Sequence, residues 1–180
     1  MNAPDAMKQV LAAAPDAAQE LRRLKDTMAC LTAGVVVVTT HHDGQDWGLT
    51  CSSFTSVSLE PPLVLWCLRM ASASAAAFTH PGDQGGGYTV SVLGADQAGI
   101  AQQFASGTPA ERFAGVDVLR LPSGRPRIAG AVAWFDCTLD SALLAGDHHV
   151  LVGRVTDYGS AAGAGLVYTQ RRFGRVADAG

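Results

Sequence analysis

Residues 34–40 read Gly-Val-Val-Val-Val-Thr-Thr, and this run constrains the fold more than any other stretch of the chain. Each branched Cβ crowds χ1 against the preceding turn of a helix, whereas a buried strand accommodates it, so a strand is predicted here. Asp43-Gly44 follows. That dipeptide tolerates positive φ and closes a hairpin, returning the chain through Trp47. The returning strand is expected to run on to Ser58. Pro61-Pro62 then breaks the ladder, and Leu63 to Leu68 starts the next buried strand.

From Thr50 to Ser58 small hydroxylic residues outnumber every other type, although apolar runs flank the segment. A buried hydroxyl without a partner is costly, so these groups are expected to face something polar that the fold encloses. A phosphate or hydroxyl-bearing ligand would suit them, because closely spaced backbone N–H groups with Ser and Thr side chains hold anions. An ordinary Ser/Thr-rich edge strand explains the same composition and stays open. Arg69, followed by Ser72 and Ser74 ahead of a short helix from Ala75 to His80, is a second place for an anion, with plain capping as its alternative. Pro81-Gly82 stops that helix. The third place is Gly146-Asp147-His148-His149. A histidine beside a carboxylate can donate to a substrate or hold a polar ring, or it can simply be solvated turn chemistry.

Elsewhere, Asp16 is expected to cap a helix, with Gln19 at the capping-box position and Leu21, Leu24, Met28 and Leu31 on one face turned to the core. Tyr88 to Leu93 reads as a strand approached through Gly85-Gly86-Gly87. Asp96 is expected to cap a helix through Ala105 that Gly107 ends. Residues 106–127 read as a loop excursion, and strands resume at Ala131 to Leu139, Val150 to Val155 and Leu166 to Gln170. Residues 1–15 and 177–180 are expected as flexible tails of one domain spanning 16–176.

Composition acts by exclusion. A net charge of −3 with scattered basic residues leaves no nucleic-acid footprint. The apolar runs are far shorter than the roughly 20 residues of a membrane span, so no membrane partner is expected. Met1-Asn2-Ala3-Pro4-Asp5 has no basic region ahead of a hydrophobic stretch, and a cytoplasmic protein is expected. Cys30, Cys51, Cys67 and Cys137 lack the spacing of a zinc site or a disulfide framework and read as buried small hydrophobes. His41-His42 and His148-His149 point to opposite faces of their strands, so no metal site is expected. There is no G-x-G-x-x-G fingerprint or P-loop, so any nucleotide binds outside a Rossmann unit. Roughly seven short strands against about three helices, joined by hairpin turns, define a mainly β fold: an antiparallel barrel with decorating helices.

The order of Gly34 to Thr40, Gly48-Leu49-Thr50-Cys51-Ser52-Ser53-Phe54, Ser58-Leu59-Glu60-Pro61-Pro62-Leu63-Val64, Arg112-Phe113-Ala114-Gly115-Val116 and Gly146-Asp147-His148 resembles the short-chain flavin reductase family. These are the reductase components of two-component flavin-dependent monooxygenases, and the resemblance covers about residues 20–176. It implies an FMN-binding split β-barrel that works as a homodimer with flavin near the subunit interface. The implied activity is an NAD(P)H:flavin oxidoreductase that takes hydride from NADH or NADPH to FMN or FAD and supplies a partner monooxygenase by flavin diffusion. Lacking a 2′-phosphate clamp, the chain is expected to prefer NADH.

The resemblance assigns flavin contacts to Ser52, Ser53, Phe54, Thr55 and Ser56, then to Arg69, Ser72 and Ser74, with Phe104 as an aromatic near the site. It puts the nicotinamide nucleotide at Gly146, Asp147 and His148, with further contacts from Tyr168 to Arg171. His148 is expected to position the nicotinamide or supply a proton, and Asp147 to orient it. The cofactors carry the difficult chemistry and the protein positions them, which fits a chain with no nucleophile triad. Two departures stand out. Gly165 replaces the family's usual Pro, with Thr169-Gln170 in place of a frequent His-Arg, and Ser91 stands where Asn is common. The alternatives are a split-barrel protein that retains flavin as an electron carrier or oxidises pyridoxamine phosphate, a non-catalytic flavin-binding module, and a serine hydrolase using Ser52, His148 and Asp147. The last lacks a G-x-S-x-G elbow.

Overall fold

The computed structural model describes residues 16–79 and 86–176. The expected tails and the Pro81-Gly82 helix stop lie outside the described residues. In chain order the elements are α1 (Ala17–Met28), β1 (Ala33–Gly34), β2 (Val36–His42), β3 (Gln45–Cys51), β4 (Thr55–Leu59), β5 (Pro62–Arg69), α2 (Ala75–Thr79) and β6 (Gly87–Val92). There follow α3 (Ala98–Ser106), α4 (Pro109–Arg112), β7 (Val118–Arg120), β8 (Pro126–Ile128), β9 (Ala133–Ala145), β10 (His148–Ser160), β11 (Leu166–Thr169) and β12 (Arg172–Arg175).

The hairpin of β2 and β3 turns at Asp43 (φ 50°) and Gly44 (φ 72°), as the dipeptide predicts. The stretch beyond it corrects the sequence reading, because Trp47 to Ser58 is two strands and not one. The main sheet runs β3-β2-β6-β9-β10-β5-β4, so β3 and β4 are its opposite edges, joined only by Ser52, Ser53 and Phe54. Laid flat at about 4.8 Å per strand, those edges would stand about 29 Å apart. Four chain steps reach only about 14 Å. The sheet must therefore curl into a barrel, with its split between the two edges.

Alternation fills the barrel. Val64, Trp66 and Leu68 on β5 point inward with Val36, Val38, Val90 and Leu151, while Phe78 of α2 stacks edge-on against Trp66 at 5.2 Å. On the outer side, Val35, Val37, Leu93, Ala101, Phe104, Ile128 and Leu166 make a second core. The valine run serves both cores because consecutive side chains of a strand alternate between faces. The run is interrupted at Val35, whose N–H donates to Leu166 O and whose carbonyl accepts from Leu93 N–H.

Strand β8 is pinned to the outer wall by polar groups. Thr39 Oγ1 donates to Pro126 O, and Ile128 N–H donates to Ser91 Oγ at 3.1 Å, giving Ser91 a role in the place where Asn is common. Arg125 and Asp136 form a buried ion pair at 2.8 Å, to which Thr89 Oγ1 adds a hydrogen bond at 3.1 Å. A Cβ at Gly87 would overlap both the Arg125 guanidinium and the Cys137 carbonyl, so this packing requires glycine.

Several expectations are corrected. Asp16 caps α1, its carboxylate accepting from Ala18 N–H at 3.3 Å. The apolar face does not meet the core, however: Leu21 and Leu24 are 51% exposed, Met28 59% and Leu31 72%. Periodicity shows which face is apolar and says nothing of what covers it. α1 is held instead by polar contacts, with Arg171 to Asp26 and Gln170 N–H to Ala29 O both at 2.6 Å. The N-cap of α3 is Gln97, not Asp96. The Gln97 side chain accepts from Gly94 N–H and donates to Ala129 O, tying the loop to the helix entry.

Residues 106–127 are more than a loop, since Thr108 and Glu111 form a capping box on α4 and β7 pairs with β8. β9 and β10 each run 13 residues, longer than predicted. β12 escaped the sequence reading because the turn into it uses Gln170 (φ 47°) and Arg171 (φ 61°), without the Gly or Asn that usually signals left-handed backbone. Cys137 is buried as expected and Cys51 and Cys67 partly so, but Cys30 is exposed. No helix among the described residues is long and apolar enough to cross a membrane.

Candidate functional site

The split gathers three of the segments singled out in the sequence. Thr55 pairs with Leu65 at the start of β4. Two residues earlier, Ser53 continues the ladder with its side chain, Oγ accepting from Cys67 N–H at 2.9 Å. The hydroxyl expected on a phosphate is thus engaged in joining the β3–β4 connection to β5. Ser52, Thr55 and Ser56 are exposed. Phe54 packs at the rim of the inner core, its ring 5.6 Å from that of Phe135.

Strand β5 ends at Arg69, whose cross-strand partner is His148 at the start of β10. The Gly146-Asp147 turn therefore belongs to the same end of the sheet. Met70 N–H donates to Asp147 O at 3.0 Å, and the Arg69 guanidinium lies 3.9 Å from the Asp147 carboxylate. His148 Nδ1 donates to Asp147 Oδ1 at 2.7 Å. That hydrogen bond, with the nearby ring charge, holds the Asp147 carboxyl below its ordinary range. With Nδ1 engaged, Nε2 is the ring nitrogen available to a substrate. Gly146 has φ 61°, which this two-residue turn requires.

Past Arg69, Ser72 Oγ accepts from Ser74 N–H at 3.3 Å. Ser74 itself is 1% exposed, and its hydroxyl lies 3.5 Å from Arg112 Nη1. The Ser74 hydroxyl therefore faces the Arg112 guanidinium inside the protein. Arg112, outside the assigned residues, meets this segment. Its Nε donates to Gly107 O at 2.8 Å and its Nη1 to Gly48 O at 2.7 Å, linking the β3 edge of the split to the segment after β5. The available signal was its place at the head of the Arg112 to Val116 match.

Phe104, expected as an aromatic near the site, lies behind β3. It is fully buried on α3, edge-on to Phe113 at 4.9 Å, and a Cβ on Gly48 would come 2.7 Å from its ring. Phe104 backs the β3 edge of the split from the outer core. Tyr168 and Arg171 are not brought to the split. They lie on and beside β11 in the separate three-stranded sheet, Tyr168 packed against Phe173 and Arg171 paired with Asp26. A cleft of about 600 Å³ between α3 and the segment after α4, with Gly99, Gln103 and Asp117 in its walls, contains none of the assigned residues.

The donor set at the split suits a flavin. Phe54 and the barrel rim offer an aromatic and apolar wall, while Ser52, Ser72, Arg69 and Arg112 offer hydroxyls and cations for a phosphate-bearing chain. A split barrel with such a mouth defines a class of flavin-handling proteins. The chain belongs to the family described as flavin reductase like domain, which it matches over residues 28–177.

Among curated relatives it is 40% identical to the actinorhodin polyketide dimerase of Streptomyces coelicolor over 158 residues, covering 87% of this chain and 86% of the relative. It is 39% identical to HsaB, the reductase subunit of a flavin-dependent monooxygenase from Rhodococcus jostii, over 75% of this chain and 67% of that one. Among solved structures it is similar to the NADH:FAD oxidoreductase SgcE6 of Streptomyces globisporus in complex with NAD and FAD fragments. The TM-score there is 0.82 at 33% identity, over 92% of this chain and 98% of the other.

Proposed function

We propose that this protein is an NAD(P)H:flavin oxidoreductase that supplies reduced flavin to a partner monooxygenase. The observation that carries the reading is the meeting, at one end of the sheet, of the Ser53 junction, Arg69 and the Asp147–His148 pair. HsaB, a reductase subunit, and SgcE6, which holds NAD and FAD fragments, support it. When bound, the flavin supplies the electron-accepting ring and the nicotinamide nucleotide supplies the hydride. The protein supplies position. Ser52, Ser53 and the backbone between β3 and β4 hold the flavin against Phe54, with Thr55, Ser56, Arg69 and Ser72 along its chain. Asp147 fixes the His148 ring, leaving Nε2 to orient the nicotinamide or hold a proton. Excluding water and aligning two rings accounts for rate without a nucleophile.

The working unit is residues 16–176, the compartment the cytoplasm, and the assembly a homodimer. Leu21, Leu24 and Met28 on α1 and Val57 and Leu59 on β4 are at least half exposed, and β4 is an open edge, so a two-fold partner has apolar surface to cover. Such a partner would bring Tyr168 and Arg171 toward its neighbour's site. Nucleotide oxidation measured with and without added flavin, with anaerobic capture of the product, tests the function. Turnover that depends on added flavin and releases it reduced is expected. Flavin that cycles without leaving would make the protein an electron carrier, and no oxidation under any condition would leave a binding module.

A further inference from the structure

The split holds a cation without a counter-charge. Arg69, at the same end of the sheet, has Asp147, and Arg125, beneath β8, has Asp136. Arg112 has no carboxylate partner among the described residues. Arg127 on β8, another half-buried arginine, lies over the Trp134 ring at 5.0 Å. Arg112 meets only neutral oxygens: Gly107 O, Gly48 O and the Ser74 hydroxyl. Those contacts use Nε and Nη1.

Among the described residues no acceptor meets Nη2. A guanidinium is a rigid fork of five donors matched to the paired oxygens of a phosphate, and its charge costs most where it is partly desolvated and unopposed. Burial does pull the Arg112 pKa down, the direction of an unopposed cation. Gly107, the β3 edge and Ser74 take up Nε and Nη1, which leaves Nη2 as the donor for a ligand.

We propose that Arg112 reads the phosphate of the bound flavin, so that it sets the preference for phosphorylated flavins over riboflavin. This rests on the flavin-reductase reading above. Ser74 is a positioning residue for it, and Arg69, already paired, contributes less. The nicotinamide nucleotide also carries phosphate, and the experiment separates the two sources.

The test measures dissociation constants of FMN and riboflavin for the wild type and Arg112→Gln, with the KM for NADH beside them. FMN affinity should fall about tenfold to a hundredfold, as for a lost charge-assisted hydrogen bond, while riboflavin affinity changes less than about twofold. An unchanged FMN-to-riboflavin ratio overturns the proposal, and so does equal loss of both, which is a structural role. A raised KM for NADH with the ratio intact would assign the cation to the donor's phosphate and also overturn it.

If the variant does not fold, phenylglyoxal labelling of the wild type, read at residue 112 by peptide mass spectrometry, decides the matter. FMN should block labelling and riboflavin should not. Equal labelling under both, or none at all, overturns the proposal. Failure of the flavin-reductase reading would look different, as an absence of flavin-dependent NADH oxidation in the wild type.

Discussion

The outer wall beneath β8 and the mouth of the split each carry a partly buried arginine, but they handle it differently. Under β8 the guanidinium of Arg125 meets Asp136, Asp136 also accepts from Thr89, and Ser91 accepts from the Ile128 amide. Those bonds are all internal. At the split, Arg112 keeps a free face, Ser52 and Thr55 are exposed, and His148 keeps one ring nitrogen. Polar groups whose bonds close within the protein stabilise a fold, while unused donors around an open mouth are available to a ligand. The contrast separates two arginines that look alike in sequence.

Breaking the closed wall should give the largest effect. Arg125→Leu leaves Asp136 enclosed and unpaired, and a loss of about 3–5 kcal/mol in unfolding free energy is expected, read by urea denaturation. The folded fraction should still bind flavin normally. If stability is unchanged, the wall is not held by this pair and the contrast fails.

At the mouth the effect should instead be kinetic. His148→Ala is expected to slow flavin reduction, or weaken nucleotide use, by about tenfold to a hundredfold, with flavin affinity nearly unaltered. Stopped-flow reduction across a range of NADH concentrations, beside a flavin titration, makes the measurement. Wild-type kinetics would leave His148 as a turn residue, and a collapse of flavin binding would make it part of the barrel.

Ser53 belongs to both regions, because its hydroxyl completes the β5 ladder within the mouth. Ser53→Ala frees the Cys67 amide at a partly exposed site, so about 1 kcal/mol of stability should be lost together with some flavin affinity. Loss of flavin affinity alone would place the hydroxyl on the ligand.

The smallest effect is expected far from both, at Asp46. Burial pushes that carboxyl up, but hydrogen bonds from Arg120 and His41 outweigh it and hold the group below its usual range. A folded-state pKa below the unfolded one contributes stability above the unfolded value, near pH 4, which is lost as the pH falls through the folded value. Asp46→Asn should therefore cost about 0.5 kcal/mol at neutral pH, a figure reduced for solvent screening, and nothing at the acid end. Thermal melts between pH 2 and pH 7 would show it.

Much of this was legible in local sequence. The valine run, the Asp43-Gly44 and Gly146-Asp147 turns and the strand after Pro61-Pro62 are decided by φ, χ1 and side-chain alternation within a few residues, and so they could be read directly. The order of motifs carried the family, and with it the expectation of a site at Ser53, Arg69, Asp147 and His148. That route supplied contacts but not their direction. It named Phe104 and Ser74 without showing that the fold buries both.

What only the tertiary structure decided are the relations between distant residues. Ser52 to Phe54 had to span two sheet edges, and that short reach forces the barrel to close and leaves the split. The β8 wall could cancel Arg125 because Asp136 arrives from another strand, while no carboxylate among the described residues reaches Arg112. The face of α1 reads as apolar from its own spacing, but what covers it depends on where the chain puts its neighbours. Conformational preference is local and survives in the one-dimensional order of residues. Burial, charge compensation and access to a ligand depend on contacts between segments, and those exist only once the sheet has curled.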